Sequence, residues 1–230
     1  SLKGGTENGY ISSIYYYHSL DIVARSAAFL GYADEQKHYS EAAMRVRKAI
    51  LDEYFTPNGR LALDTQTAYV LALYFGIYRD RETVKRGFRE RLRKDFYKMK
   101  TGFTGTPLLL PALFDCGMDE DAYRILFSEE CPGWIYAVNL GATTIWERWN
   151  SILPDGHISG TNMNSLNHYT YGSIGDWLYR KVAGITPTSA GYASFDIRPY
   201  LTKGLEEVQA SLETMYGSIC VHTICKDGQI

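Results

Sequence analysis

The sequence lacks the features that mark membrane proteins and binders of charged polymers. No apolar run approaches the ~20 residues that a membrane-spanning helix needs, and the first residues do not follow the order of a signal peptide. The net charge is only −2, with both signs interspersed, so electrostatics gives no reason to expect nucleic acid or an anionic membrane as a partner. We therefore expect a soluble chain that binds neither.

Metal and cofactor motifs are also missing. No pair of His, Cys, Asp or Glu has zinc-ligand spacing, and Asp155-Gly156-His157 is typical of a turn rather than of a calcium loop. Gly102-x-x-Gly105 lacks the lysine and the preceding strand of a phosphate-binding loop. No Ser or Cys stands in a strained nucleophile elbow. The sequence predicts neither a metal nor a cofactor.

Cysteine is scarce. The four cysteines, at positions 116, 131, 220 and 225, have neither metal-binding spacing nor the density of a disulfide framework. We expect all four to be free thiols, which favours a reducing compartment such as the cytoplasm over a secreted or periplasmic location.

Residues 131–180 concentrate the residue types that bind sugars. This stretch holds all four tryptophans, and Glu147 stands between Trp146 and Arg148 with Trp149 one residue further on. Indole faces suit the apolar side of a sugar ring, while carboxylates and amides suit its hydroxyls. If the chain performs chemistry, we expect it here. The alternative role for Glu147 is an ion pair with Arg148 at a helix end.

Hydrophobic periodicity predicts a mainly helical chain of about seven helices. They run over Ile11–Gly31, Asp34–Phe55, Thr65–Tyr78, Asp80–Lys98, Thr106–Cys116, Met118–Ser128 and Asn164–Gly184. More apolar members alternate with more charged ones, as a two-layered ring of helices requires. From Ala190 the period changes to two, which predicts strands at Phe195–Pro199, Val208–Tyr216 and Ile219–Cys225, with Gly217-Ser218 as a turn.

Several of these segments together resemble one enzyme family. DTQTAYVLAL, TGFTGTPLLLPAL, GATTIWERW, MNSLNHYTYGSIGDWLYRKVAGI and GYASFDIRP occur in this order, and they are similar to the α-L-rhamnosidases of glycoside hydrolase family 78. The resemblance implies an (α/α)6 barrel followed by a β-sandwich, and cleavage of terminal α-L-rhamnose with inversion. We therefore predict the C-terminal part of such a barrel in residues 1–187, which is incomplete because twelve helices are implied, and the start of a truncated β-sandwich in 188–230.

The resemblance also implies roles for particular residues. The general base falls on Glu147 and a sugar-contacting histidine on His168. Four further residues are candidates for substrate binding: Trp134 and Trp149 as platforms, Asn167 beside the histidine, and Asp64 at the start of an inner helix. Trp134 could equally be covered by a neighbouring helix, and Asp64 could instead be a helix N-cap.

The general acid has no candidate in this chain, because no acidic motif of the family's kind occurs in residues 1–130. We therefore expect the isolated chain to be an inactive fragment, whose exposed inner helices pair with a missing N-terminal half or with another copy. Two other classes stay open. One is a different barrel enzyme, either an exo-glycosidase or a polysaccharide lyase. The other is a carbohydrate-binding or interaction module. The expected substrate is a rhamnosylated small molecule or polysaccharide.

Overall fold

The structure, a computed structural model that describes residues 5–225, consists of two compact units. One ends at Leu166 and the other begins at Asn167. The first unit contains seven α-helices within the described residues: α1 Asn8–Leu30, α2 Ala33–Tyr54, α3 Gln66–Tyr74, α4 Arg81–Lys94, α5 Thr106–Asp115, α6 Asp119–Leu126 and α7 Trp134–Asn139. No helix among residues 5–225 is long and apolar enough to span a bilayer.

Helices α1 and α3 lie side by side with their N-terminal ends together. Just before the two helices, the hydroxyl groups of Thr6 and Thr65 form a hydrogen bond of 2.5 Å. One turn further in, the fully buried Tyr10 donates its hydroxyl to the carbonyl oxygen of Ala68 at 3.0 Å. Contacts near both starts can form together only if the helices run parallel.

Helix α5 continues this parallel row. A Cβ added at Gly105, just before α5, would lie only 2.8 Å from Thr67 Oγ1 near the start of α3, so a residue without a side chain is needed there. The loop before α5 is joined to the loop before α7 by an ion pair of 2.5 Å between Lys98 and Glu130. The starts of α1, α3, α5 and α7 are therefore linked at one end of the unit.

A buried glutamine fixes the start of α3 to the segment that follows α4. Gln66 is 1% exposed, and its amide donates to Asp95 Oδ2 and to the carbonyl oxygen of Lys98, both at 2.8 Å. Its side-chain oxygen accepts the N–H of Lys100 at 2.9 Å. Arg91 completes the arrangement, since its guanidinium binds both oxygens of Asp95, at 3.0 and 2.5 Å.

The burial of the helices follows the alternation that the sequence predicts. Eight of the nine residues of α3 are buried, whereas α4 buries only Val84, Phe88 and Leu92 along one stripe. Such a stripe is what a helix on the outer layer needs in order to pack on an inner one. Helix α3 contacts both α4 and α5, which gives the apolar helices the inner positions.

Some predicted helix limits were wrong. Helix α4 ends at Lys94 rather than Lys98, because Phe96 and Tyr97 have φ of 55° and 58°. The ring of Tyr97 lies 3.7 Å from the guanidinium carbon of Arg124, a tertiary contact that a helical backbone at Tyr97 would not provide. Helix α3 ends at Tyr74, ahead of Gly76 with φ of 68°, instead of at Tyr78.

The second unit begins with a composite helix and continues into strands. The predicted helix Asn164–Gly184 starts only at residue 170, with a 3-10 turn Thr170–Ser173, then α8 Ile174–Trp177 and a π-helical turn Leu178–Val182. Trp177 is 2% exposed and lies in the core. Two antiparallel strand pairs follow: β1 Ile185–Pro187 with β2 Phe195–Ile197, and β3 Glu207–Thr214 with β4 Gly217–Ile224.

The hairpin turn lies two residues earlier than predicted. Thr214 pairs with Gly217, so the turn is Met215-Tyr216 and not Gly217-Ser218. The Thr214 hydroxyl explains the register, because it donates to the carbonyl oxygen of Gly217 at 2.8 Å and accepts the N–H of Tyr216 at 3.1 Å. One face of the hairpin, with Ile219 and Val221, packs in a small core. All four cysteines are free thiols, as expected.

Candidate active site

The carboxylate of Glu147 is held at one oxygen by the backbone. Its Oε2 accepts the N–H of Ser165 at 2.7 Å, and its own N–H donates to the carbonyl oxygen of Ser165 at 2.9 Å. The hydroxyl of Thr144 extends this pairing by donating to the carbonyl oxygen of Leu166. No residue in the range 5–225 donates a hydrogen bond to the other oxygen, Oε1. One carboxylate oxygen is thus fixed while the other can accept a proton.

Arg148 binds the backbone of the loop that follows it. Its guanidinium donates to the carbonyl oxygen of Ser159 at 2.9 Å and to that of Asn162 at 2.5 Å. The amide of Asn164 adds a bond of 2.7 Å to the carbonyl oxygen of Gly160. The segment from Arg148 to Asn164, which we call the 148–164 loop, is therefore closed at its base, and Glu147 and Ser165 are the two residues just outside it.

Helix α7 also contacts the 148–164 loop. The hydroxyl of Tyr136 donates to the carbonyl oxygen of Ile152 at 3.1 Å, and burial raises the pKa of that hydroxyl. Trp134 packs edge-to-face against Trp149, with ring centroids 5.2 Å apart and planes at 87°. Trp134 is the first residue of α7 and only 8% exposed.

Trp134 and Trp149, the two predicted sugar platforms, therefore differ in how much of their rings solvent can reach. A ring that is 8% exposed keeps most of its surface inside the protein, whereas Trp149 is half-buried and stands two residues from Glu147. Trp146, on the other side of Glu147, is 5% exposed and belongs to the core. Contact of Trp134 or Trp149 with a sugar stays a prediction.

Asp64 lies in a cluster of charges at the start of α3. Its carboxylate is 3.4 Å from Arg91 and from Lys94, and it also accepts the hydroxyl of Tyr69 at 3.4 Å. Burial, and then the Asp64 charge, raise the pKa of Tyr69 to about 12. The expectation that Asp64 caps this helix was wrong, because Thr65 is the N-cap and accepts the N–H of Ala68.

His168 and Asn167 belong to the second unit. The His168 ring is half-buried and stacks on Tyr169, with centroids 5.2 Å apart and planes at 14°. Its Nδ1 accepts the N–H of Thr170 at 3.4 Å. Asn167 is exposed and directly precedes it. Both follow Ser165 within three residues, and their contact with a substrate stays a prediction.

Potential metal ligands are dispersed across the described part of the chain, where no three His, Cys, Asp or Glu side chains gather in a way that could hold an ion. Carboxylates near the starts of the inner helices are instead neutralised by cations. Glu130, for example, is paired with Lys98, whose hydrogen bond and charge hold the pKa of that carboxyl below its ordinary value.

Comparison with known proteins assigns the family. Residues 1–182 match the bacterial α-L-rhamnosidase six-hairpin glycosidase domain, and residues 184–230 match the bacterial α-L-rhamnosidase C-terminal domain. The chain belongs to the bacterial α-L-rhamnosidase family. The predicted fold, part of a six-hairpin helical domain followed by a short antiparallel β segment, is confirmed. The predicted boundary after residue 187 stays a prediction.

Relatives within the α-L-rhamnosidases cover nearly all of this chain. It is 39% identical over 221 residues to an α-L-rhamnosidase of Formosa agariphila, which corresponds to 94% of this chain and 24% of that protein. The crystal structure of the Streptomyces avermitilis α-L-rhamnosidase complexed with L-rhamnose matches with a TM-score of 0.92 and 37% identity, over 98% of this chain and 22% of that one.

A fungal structure agrees with these matches. Native α-L-rhamnosidase from Aspergillus terreus has a TM-score of 0.90 and 32% identity, over 94% of this chain and 26% of that chain. The chain thus spans about a quarter of the length of each of these three α-L-rhamnosidases.

Proposed function

We propose that this chain supplies the general base of an inverting α-L-rhamnosidase, which releases terminal α-L-rhamnose from small-molecule glycosides or polysaccharides. The observation that carries the proposal is the geometry of Glu147, whose Oε2 is fixed by the Ser165 N–H while Oε1 has no donor among the described residues. In the proposed reaction a water attacks the anomeric carbon and passes its proton to Oε1, while a second carboxyl group protonates the departing oxygen.

The second carboxyl group lies outside this chain in our proposal. A general acid needs a raised pKa so that it carries its proton at working pH. The carboxylates near the starts of the inner helices are instead paired with cations: Asp64 and Asp95 lie against Arg91, and Glu130 lies against Lys98. For Glu130 that cation lowers the pKa. We therefore expect the 230-residue chain alone to be inactive.

We also propose that further helices of a longer polypeptide cover α1. This helix exposes large apolar side chains, with Phe29 91%, Leu30 63% and Tyr16 58% exposed, which is more than a helix in water usually leaves uncovered. The relatives are about four times as long as this chain, and a six-hairpin domain has twelve helices. Size-exclusion chromatography tests this proposal: a stable dimer of the chain that buries α1 would favour a second copy as the occupant instead.

A chimera tests the catalytic proposal. The chain replaces the matching segment of the Streptomyces avermitilis enzyme, and release of L-rhamnose from an aryl α-L-rhamnoside is followed, with NMR of the first product formed. We expect the product to appear as the β anomer, and Glu147→Gln to lower kcat by roughly 10²–10⁴-fold because the general base is lost.

Glu120→Gln is the matched control, since Glu120 is exposed on the first turn of α6 and the exchange is chemically the same. Its kcat should equal that of the parent chimera. A Glu147→Gln chimera with parental kcat, or an α product, would contradict the proposal.

A further inference from the structure

The 148–164 loop connects Glu147, the candidate general base, to Ser165, whose backbone holds the Glu147 carboxylate in place. Glu147 comes directly before the loop and Ser165 directly after it, and two backbone-to-Glu147 hydrogen bonds, of 2.7 and 2.9 Å, join them. The position of the carboxylate therefore depends on where the returning end of the loop brings the Ser165 N–H.

The side chain of Arg148 joins the two ends of the 148–164 loop. Its two terminal nitrogens each donate to a different carbonyl oxygen, of Ser159 and of Asn162, six and three residues before Ser165. A guanidinium presents its donors in a rigid planar fork, so the two acceptors are fixed relative to each other as well as to Arg148. A charged donor also makes stronger hydrogen bonds than a neutral one.

The N-terminal end of the 148–164 loop is also hydrogen-bonded to Arg148. The Ser151 hydroxyl accepts the Arg148 N–H at 3.2 Å and donates to the Arg148 carbonyl oxygen at 3.0 Å, and Ser151 is fully buried. The N–H of Ser159 then donates to the carbonyl oxygen of Ser151 at 2.9 Å. Both ends of the loop thus converge on Arg148, and the returning end can move little while these bonds persist.

We propose that Arg148 is a positioning residue for the general base. It acts through the 148–164 loop: by holding the carbonyl groups of residues 159 and 162 it fixes the Ser165 N–H, which in turn binds Oε2 of Glu147 and leaves Oε1 to the water. This inference rests on the proposed function for its catalytic consequence, whereas the link from Arg148 to the Glu147–Ser165 hydrogen bond does not.

The link can be measured without catalysis, on the 230-residue chain. An amide proton that is hydrogen-bonded to a carboxylate changes its NMR chemical shift when that carboxylate takes up a proton, so the Ser165 amide should titrate with pH. We expect Glu147→Gln to abolish this titration and Arg148→Met to lower its amplitude strongly. Arg25→Met is the control, since the one ion pair of Arg25 among the described residues is exposed, with Asp21 at 2.9 Å.

The catalytic consequence is measured in the chimera. Displacement of a reacting group by about 1 Å can cost as much as 10²-fold in rate, so we expect Arg148→Met to lower kcat by roughly 10- to 100-fold with KM nearly unchanged. Arg148→Lys should lie between Arg148→Met and the parent, because an ammonium lacks the planar fork. A purely structural role would lower the unfolding temperature without this selective effect on kcat.

The two proposals fail in different ways. A Ser165 amide that titrates in Arg148→Met as in the parent overturns the positioning role, whatever the chimera does. If instead Arg148→Met removes the titration but Glu147→Gln leaves kcat unchanged, the loop link stands and the catalytic assignment of Glu147 fails. If Arg148→Met does not fold, Arg148→Lys decides: a parental amide titration together with parental kcat contradicts the inference.

Discussion

Replacement of the buried Gln66 by leucine is a direct test of how the inner helices are held. Leucine has a similar volume, but it leaves the carbonyl group of Lys98 and the N–H of Lys100 without the partners that they have at 2.8 and 2.9 Å. Asp95 also loses one donor but keeps the guanidinium of Arg91. Gln66→Leu therefore leaves two backbone groups without their side-chain partner, at a position where the side chain is 1% exposed.

The expected cost follows from those two groups. A buried polar group that loses its partner costs about 1–3 kcal/mol, and Lys98 and Lys100 lie in a half-buried to exposed segment, which favours the lower half of that range. We expect Gln66→Leu to lower the free energy of unfolding by about 3 kcal/mol. For a protein of this size that corresponds to a fall in Tm of roughly 6–12 °C.

Differential scanning calorimetry measures this change, with Gln36→Leu as the matched control, because Gln36 is exposed on α2. The transition of the helical unit should shift for Gln66→Leu and stay near the parental value for Gln36→Leu. Equal shifts for the two variants would refute the reasoning, since they would show that the hydrogen bonds of Gln66 add nothing beyond the loss of a glutamine.

Two further predictions concern single groups. The hydroxyl and then the N–H of Thr83 lower the pKa of Asp80. The stability that Asp80 contributes is therefore present above the ordinary Asp value of 3.8 and is lost as pH falls through the folded-state pKa. The Tm difference between parent and Asp80→Ala should shrink between about pH 7 and pH 2, and a constant difference would contradict this. Gly184 has φ of 78°, and a Cβ there would lie 2.2 Å from the backbone of Arg198 and Pro199, whereas Gly204 has φ of 90° and open space. Urea unfolding of the second unit should show a cost of about 1–2 kcal/mol for Gly204→Ala and a further 1–3 kcal/mol for Gly184→Ala, and equal costs would show that the close approach is unimportant.

Sequence periodicity predicted the first six helices, because their apolar stripes and turn residues are local signals. It failed where a tertiary contact decides the backbone. Phe96 and Tyr97 adopt left-handed conformations although neither is glycine, and Arg124, which packs on Tyr97, is 27 residues away. The six-residue helix α7 was missed because the Cys-Pro-Gly sequence before Trp134 indicates a turn and the helix is too short for a clear period.

The candidate site shows the same division. The run of Trp, Glu and Arg around Glu147 could be found in the sequence, since it concentrates residue types that bind sugars. The role of Ser165 could not, because its contribution is a backbone N–H, and every residue except proline has one. The partners of the Arg148 side chain could not be predicted from the sequence either. The neighbouring carboxylate of Glu147 suggested an ion pair, but the guanidinium instead donates to two carbonyl groups of the loop, whose geometry matches its planar fork.

The hydrogen bonds of Arg148 separate the residues that anchor Glu147 from the tip of the 148–164 loop. Beyond the bridge between Ile152 and Ile158, the chain turns through Gly156 with φ of 84°, and the side chain of His157 is 82% exposed. Residues at this tip make no contribution to the bonds that anchor the carboxylate. A change in the length or sequence of the tip should therefore leave the carboxylate of Glu147 where it is.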